Sequence, residues 1–206
     1  MKYVPQPYAT FCSARQLLEA VNALLAYDKG LRIAIETKPN EPMDLAYLPT
    51  IGHALALGAQ SDDPKRVGCL VESAHAILAG LDPSDEMAFG LAFDKLWGVH
   101  LNDQNGLKYD QDRSFGSVDL RRAFNEVRVL DGNRFYEKGM VGMDVKAIRT
   151  QPAEVATKHL RNSLQIFLRL VEVVRSLDQA KYKELVAARD YEELDWFILN
   201  SLMGTH

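Results

Sequence analysis

Short, almost wholly apolar runs alternate along this chain with longer stretches whose apolar residues recur every three or four positions. Residues 13–28 follow the helical period, with Leu17, Leu18, Val21, Leu24 and Leu25 on one face and Gly30 as a stop. The run 32–36 comes next, and prolines 39 and 42 make the segment behind it a loop. Thr50 caps a predicted helix reaching Gly58, and 67–72 forms a second run. A helix over 84–96 leads into a third run, 97–101, and a polar loop spans 102–117. A helix over 120–130 and a fourth run, 140–145, complete the alternation. Beyond Pro152 the pattern is helical throughout, with Leu160, Leu164, Phe167, Leu168, Val171 and Val174 on one face.

Apolar runs interleaved with amphipathic helices predict an α/β fold of βα units around a parallel sheet. We therefore divide the chain into an α/β part over 1–150 and a helical extension over 151–206, expected to be an oligomerisation arm. Four strands begin near residues 31, 67, 97 and 140. A closed (β/α)8 barrel takes about 250 residues and eight units. Four units fit either an open four-stranded sheet or half of a barrel.

Composition narrows the class. In 206 residues, 28 acids against 24 bases give a net charge of -4, which opposes a phosphate-neutralising nucleic-acid surface. No apolar run approaches the roughly 20 residues of a membrane helix, and the opening residues lack the charged and apolar regions of a signal peptide. Cys12 and Cys69 are too few for a disulfide framework and read as reduced thiols. A cytoplasmic protein without membrane or nucleic-acid partners is expected.

The residues that end the strands carry the chemistry. Glu36, Glu72, His100 and Asp144 close the four runs in turn. Ligand sites of parallel α/β folds assemble at that edge. Four such groups converging there call for a cation, because unpaired buried charge is costly. Carboxylates with an imidazole suit Mn²⁺, Mg²⁺ or Co²⁺ better than a thiol-seeking ion. His75 follows Glu72 by three residues, and Asp110 and Asp112 lie two apart on one side of an extended loop, enough for a second cation. Each of these also has a plainer reading, as a core histidine or a solvated loop acid. Lys38 sits two residues past Glu36 in a proline-stiffened loop, placed either to pair with a nearby acid or to stabilise an oxyanion. P-loop, G-x-G-x-x-G, H-E-x-x-H and G-x-S-x-G motifs are absent.

The segments Glu36-Thr-Lys-Pro-Asn-Glu-Pro42, Glu72-Ser-Ala-His75, His100-Leu-Asn102, Lys108-Tyr-Asp-Gln-Asp-Arg-Ser-Phe-Gly116 and Asp144 resemble, in order, the metal-site motifs of the xylose isomerase family. The resemblance covers about residues 30–150 and implies the carboxyl-terminal half of a TIM barrel that interconverts aldoses and ketoses with two divalent cations. It implies that Glu36, Glu72 and Asp144 hold a first cation, and Glu72, His75, Asp110 and Asp112 a second. Lys38 would bond the substrate O1, and Asp112 would position the water that moves a proton between O1 and O2 during a hydride shift. Where xylose isomerases have Asp two residues after the strand-end His, this chain has Asn102. The related L-rhamnose isomerase group carries Asn there and uses the His itself, so His100 joins the first set. A monosaccharide substrate is implied, with either a homo-oligomer (dimer or tetramer) or a complementing amino-terminal half as partner. The competing readings are a sugar epimerase of the same barrel, needing neither Lys38 nor the Asp110/Asp112 pair, and an inactive metal-binding fragment.

Overall fold

The computed structural model describes residues 8–42 and 44–204. Residues 1–7, on which the expectation of no leader partly rests, lie outside them. Four strands, β1 (Ile33–Glu36), β2 (Val67–Glu72), β3 (Leu96–Leu101) and β4 (Met140–Met143), form one sheet. All pairs are parallel, and the spatial order β1-β2-β3-β4 repeats the chain order. A doubly wound sheet reverses its order at a switch point, whereas a barrel runs on in one direction. Of the two architectures the pattern leaves open, the sheet is the arc of a barrel.

The helices are α1 (Tyr8–Tyr27), α2 (Ile51–Ala59), α3 (Ser73–Leu78), α4 (Pro83–Ala92), α5 (Leu120–Gly132), α6 (Lys158–Ser176), α7 (Gln179–Ala188) and α8 (Tyr191–Met203). Among the described residues, no helix is long and apolar enough to cross a membrane. Several sequence boundaries need correction. The helix expected over 84–96 ends at Ala92, because Asp94 turns the backbone to a φ of 55° and frees Leu96 to start β3. β4 stops at Met143, so Asp144 leaves the strand rather than ending it. Helix α3 has no counterpart in the sequence reading, since all six of its residues are buried and no polar face marks its period.

The expected apolar faces are also narrower than the sequence implied. On α1, among the side chains described, only Val21 and Leu25 are buried, while Leu17 and Leu24 face outward. On α6, Leu170 and Val174 reach the core, whereas Leu160, Leu164 and Leu168 are about half exposed and make a separate outward stripe. Arg66 ties down the end of α1. Its guanidinium donates to the carbonyls of Leu25, Asp28 and Leu31 at 2.8–3.0 Å, satisfying groups that the last helical turn leaves free.

Alternation along the strands sorts the sheet into two faces. Val67, Cys69, Val71, Val99 and Leu101 lie in the core with Met87 of α4, Phe124, Val127 and Leu130 of α5, and Leu170, Val174 and Ile198 of the helical extension. Burial pushes the Cys69 thiol up to about 11, and neither cysteine is in a disulfide. On the opposite face the Trp97 ring covers Gly68 and stacks under the Arg32 guanidinium at 3.8 Å. A Cβ on Gly68 would meet that ring at 2.2 Å, so the stack requires glycine there. Trp97 thus packs at the amino-terminal end of the sheet. Leu70, Gly98 and Met140 form the next layer, with Glu36 in register opposite Leu70 at the end of β1, and Glu72 and His100 pair at the carboxyl-terminal rim.

Candidate metal centre

The strand register assembles the rim. Glu72 stands opposite His100 in the β2–β3 ladder, and His100 stands opposite Gly142. A Cβ at Gly142 would approach the His100 ring to 3.2 Å, so the missing side chain gives the imidazole its place. Glu36 comes in from the end of β1 and Asp144 from just past β4. Ligand atoms of Glu36, Glu72, His100 and Asp144 lie within 4.8 Å of one another. The His100 Nδ1 is 3.6 Å from Glu36, 3.8 Å from Glu72 and 3.7 Å from Asp144.

A second group shares Glu72. Because α3 begins at Ser73, directly after β2, residues 72 and 75 face the same space. His75 Nε2 is 3.2 Å from Glu72 Oε1 and 3.4 Å from Asp110 Oδ2. Glu72, His75 and Asp110 again lie within 4.8 Å of one another. The donor chemistry fits divalent cations at both places. Four carboxylates and two imidazoles crowd together, and His75 Nδ1, His100 Nδ1 and Asp110 Oδ1 are buried with no hydrogen-bond partner.

Protonation follows the geometry. Glu72 is almost fully buried, and loss of solvent pushes its carboxyl up to about 10, helped by the hydrogen bond with Glu36 and the charges of Asp112 and Asp144. A cation binding there has to displace that proton, which makes affinity rise with pH. Asp110 goes the other way. Burial opposes its charge, but the hydrogen bonds with His75 and Lys38 hold it below the usual range. Lys38 Nζ lies 2.5 Å from Asp110 Oδ2 and 3.3 Å from Glu41 Oε2. Burial works against the ammonium, and the bond to Asp110 outweighs it, raising the lysine above its ordinary value.

Asp112, which the resemblance implies as a ligand of the second cation, stands in neither group. Its Oδ2 pairs with the Lys146 ammonium, and its Oδ1 accepts a hydrogen bond from Asn102 at 3.0 Å. Burial raises the Asp112 carboxyl, with Lys146 opposing. Two residues therefore matter that the strand-end pattern did not assign. Asn102 is buried, donates to Glu72 Oε1 at 3.0 Å, to Asp112 Oδ1 and to the Asp144 carbonyl at 2.9 Å, and accepts from the Ala74 amide at 2.7 Å. Its two-residue spacing from His100 was the available signal. Lys146 offered none, as one of 24 bases in the chain.

The family of xylose isomerase-like TIM barrels matches residues 5–166 of this chain. The xylose isomerase of Thermus thermophilus is 36% identical over 175 residues, which are 82% of this chain and 45% of that protein. The chain thus spans about half the length of the curated relative it matches. Among solved structures, an L-ribulose 3-epimerase superposes with a TM-score of 0.56 at 16% identity, covering 92% of this chain and 61% of its own. The IOLI protein with a bound zinc atom superposes with a TM-score of 0.55, also at 16% identity, over 82% of this chain and 59% of its own. Both share its fold.

Proposed function

The chain belongs to the family of xylose isomerase-like TIM barrels, and from that premise we propose that it is the metal-binding half of an aldose–ketose isomerase acting on a monosaccharide of the xylose or rhamnose type. The observation that carries this reading is Lys38, whose ammonium is held by Asp110 at 2.5 Å beside the Glu72–His75 group. A cation shared between two glutamates suffices for an epimerase, which has no use for a clamped lysine at this rim. The zinc-bearing neighbour and the curated isomerase relative support divalent metal use. Glu36, Glu72, His100 and Asp144 would hold one ion and Glu72, His75 and Asp110 another, with Mn²⁺, Mg²⁺ or Co²⁺ suited to these donors.

Cations bound there would supply Lewis-acid polarisation of the sugar oxygens. The chain's own groups do the rest. Lys38 donates a hydrogen bond to O1, where negative charge develops. Asp110 fixes the direction of that ammonium. Asp112, its carboxylate braced by Asn102 and Lys146, positions the water that carries a proton between O2 and O1. In the balanced step, hydrogen moves with its electron pair from C2 to C1 while one proton leaves O2 and one reaches O1. Strands β1 and β4 each have one unpaired edge among the described residues. A complementing half or a second copy pairs those edges and completes the sugar pocket in this proposal.

Lys38→Ala tests the reading. Turnover of xylose or rhamnose by the full chain with its partner should fall about 100-fold, the size of losing one oxyanion donor, while the number of bound Mn²⁺ ions stays the same. Unchanged turnover would exclude the oxyanion role and favour the epimerase. The two metal groups are separable by Asp110→Asn. Calorimetric titration with Mn²⁺ should then show the Glu72–His75 ion lost and the Glu36–His100 ion retained, and loss of neither would refute the assignment.

A further inference from the structure

The loop after β3 carries Asp110 to the rim, yet no apolar side chain of its own anchors the tip, since Leu107 and Tyr109 are exposed. Its base is closed by Asp103. The Asp103 backbone bridges to Arg113 in both directions at 2.9 Å, and its carboxylate accepts from the amides of Gln104, Val118 and Asp119 at 2.7–3.0 Å. The tip is shaped by one side chain that belongs to neither metal group. Gln104 is almost fully buried, and both donors and the oxygen of its amide are engaged inside the loop. Its Nε2 donates to the carbonyls of Gly106 at 2.9 Å and Tyr109 at 2.6 Å, and its Oε1 accepts from the Gln111 amide at 3.0 Å.

Two of these contacts fall on either side of Asp110. The Tyr109 carbonyl lies in the peptide bond before Asp110, and the Gln111 N–H in the one after it. A peptide unit is planar, so gripping the plane on each side of a Cα sets both of its soft dihedrals and the direction of its Cβ. The grip also meets a strained turn. Tyr109 stands at a φ of 63°, a left-handed conformation that a bulky residue keeps only where its surroundings enforce it. From this position the Asp110 carboxylate reaches the Lys38 ammonium at 2.5 Å and His75 Nε2 at 3.4 Å.

We propose that Gln104 is a positioning residue of the rim, which acts through Asp110 and aims that carboxylate at Lys38 and at the second cation by backbone contacts alone. The part that concerns the cation rests on the metal-dependent isomerase reading, whereas the brace on Asp110 and Lys38 stands without it. Released from Gln104, the loop's backbone groups turn to water and the carboxylate leaves the rim.

The test uses Gln104→Met, which keeps the length of the side chain and removes all three hydrogen bonds, and Gln104→Glu, whose carboxylate keeps the acceptor and removes both donors. In the full metal-free chain, labelling of Lys38 by acetic anhydride, followed by peptide mass spectrometry, reports how firmly Asp110 holds the ammonium. Labelling should rise about tenfold in both variants and in Asp110→Asn, the equivalent of one charge-assisted hydrogen bond. Gln104→Met should add nothing in the Asp110→Asn background, because it acts through that same carboxylate. Parental labelling in both Gln104 variants, or a further rise on top of Asp110→Asn, overturns the proposal. Calorimetric titration with Mn²⁺ should show the Glu72–His75 ion bound about tenfold more weakly in both variants, as for other partners that orient a ligand, and the Glu36–His100 ion bound as in the parent. Equal weakening of both ions in both variants would make Gln104 a general support of the fold and overturn its positioning role. A parent that binds no Mn²⁺ yet shows the expected Lys38 pattern sinks the metal reading alone. A parent that binds two ions, with variants that match it in labelling and in both affinities, sinks this proposal alone.

Discussion

Glu72→Gln should empty both metal groups at once. Glu72 is the residue common to the two sets, and it is almost fully buried between them. One carboxylate oxygen lies 3.2 Å from His75 Nε2 and accepts the Asn102 amide, while the other faces His100 at 3.8 Å. Glutamine keeps the volume, so the packing around β2 survives. It removes the negative charge and replaces one acceptor oxygen with an N–H₂ donor, and in either orientation that donor confronts one of the two groups. Each ion should then bind at least about 100-fold more weakly, since disturbing even the outer partners of metal ligands costs 10- to 100-fold. At a Mn²⁺ concentration that fills the parent chain, calorimetry should count no bound ion, and isomerisation should fall to background. A variant that retains one ion at parental affinity would show that the groups do not share Glu72.

A second large effect concerns stability rather than metal. Glu126 of α5 is fully buried, and loss of solvent raises its carboxyl well above the ordinary value, with Ser73 as its hydrogen-bond partner at 2.5 Å and Asp103 and Asp82 adding like charge against the nearby Arg122. The folded chain therefore keeps a proton that the unfolded chain gives up near the ordinary value of 4.5. The stabilisation is complete below that value and is lost as pH rises toward the folded value, by up to about 1.4 kcal/mol per pH unit. Stability of the parent should therefore fall as pH rises from 5 to 7. Glu126→Gln mimics the protonated acid and should remove this slope, matching the parent near pH 4.5 and exceeding its stability at pH 7. Urea unfolding of both proteins in metal-free buffer across that range measures the difference. Parallel stability curves would mean that Glu126 does not titrate on unfolding.

What could be read from the residues was the part governed by local period and by strand ends. β2 and the rim residues Glu36, Glu72 and His100 were legible because each ends an apolar run, and a parallel sheet gathers such ends on one edge. His75 was legible through its spacing from Glu72, though the helix that presents it was not, since complete burial of α3 erases the polar–apolar contrast on which helix reading depends. Asp112 stays hydrogen-bonded to Asp110, as their two-residue spacing promised, although Tyr109 and Asp112 both adopt positive φ, at 63° and 43°. The loop turns, Asp110 joins His75, and Asp112 meets Lys146 from a segment more than thirty residues away. The α6 stripe shows the same limit in packing. Periodicity shows that Leu160, Leu164 and Leu168 share a side of the helix, but which side meets the core depends on neighbours supplied by distant sequence.

The identity of spatial and chain order in the sheet has a consequence for biosynthesis. Every strand pairs with the strand made just before it, so the sheet can grow by addition at one edge while the ribosome is still at work. No finished pair has to open to admit a later strand, and each closure spans only one crossover, which keeps its entropic cost small. The edge offered by β1 is complete before the residues of β3 and β4 exist, and the rim's donor set is filled one residue at a time from Glu36 to Asp144. The order of synthesis is thus also the order in which the donor-bearing edge is built.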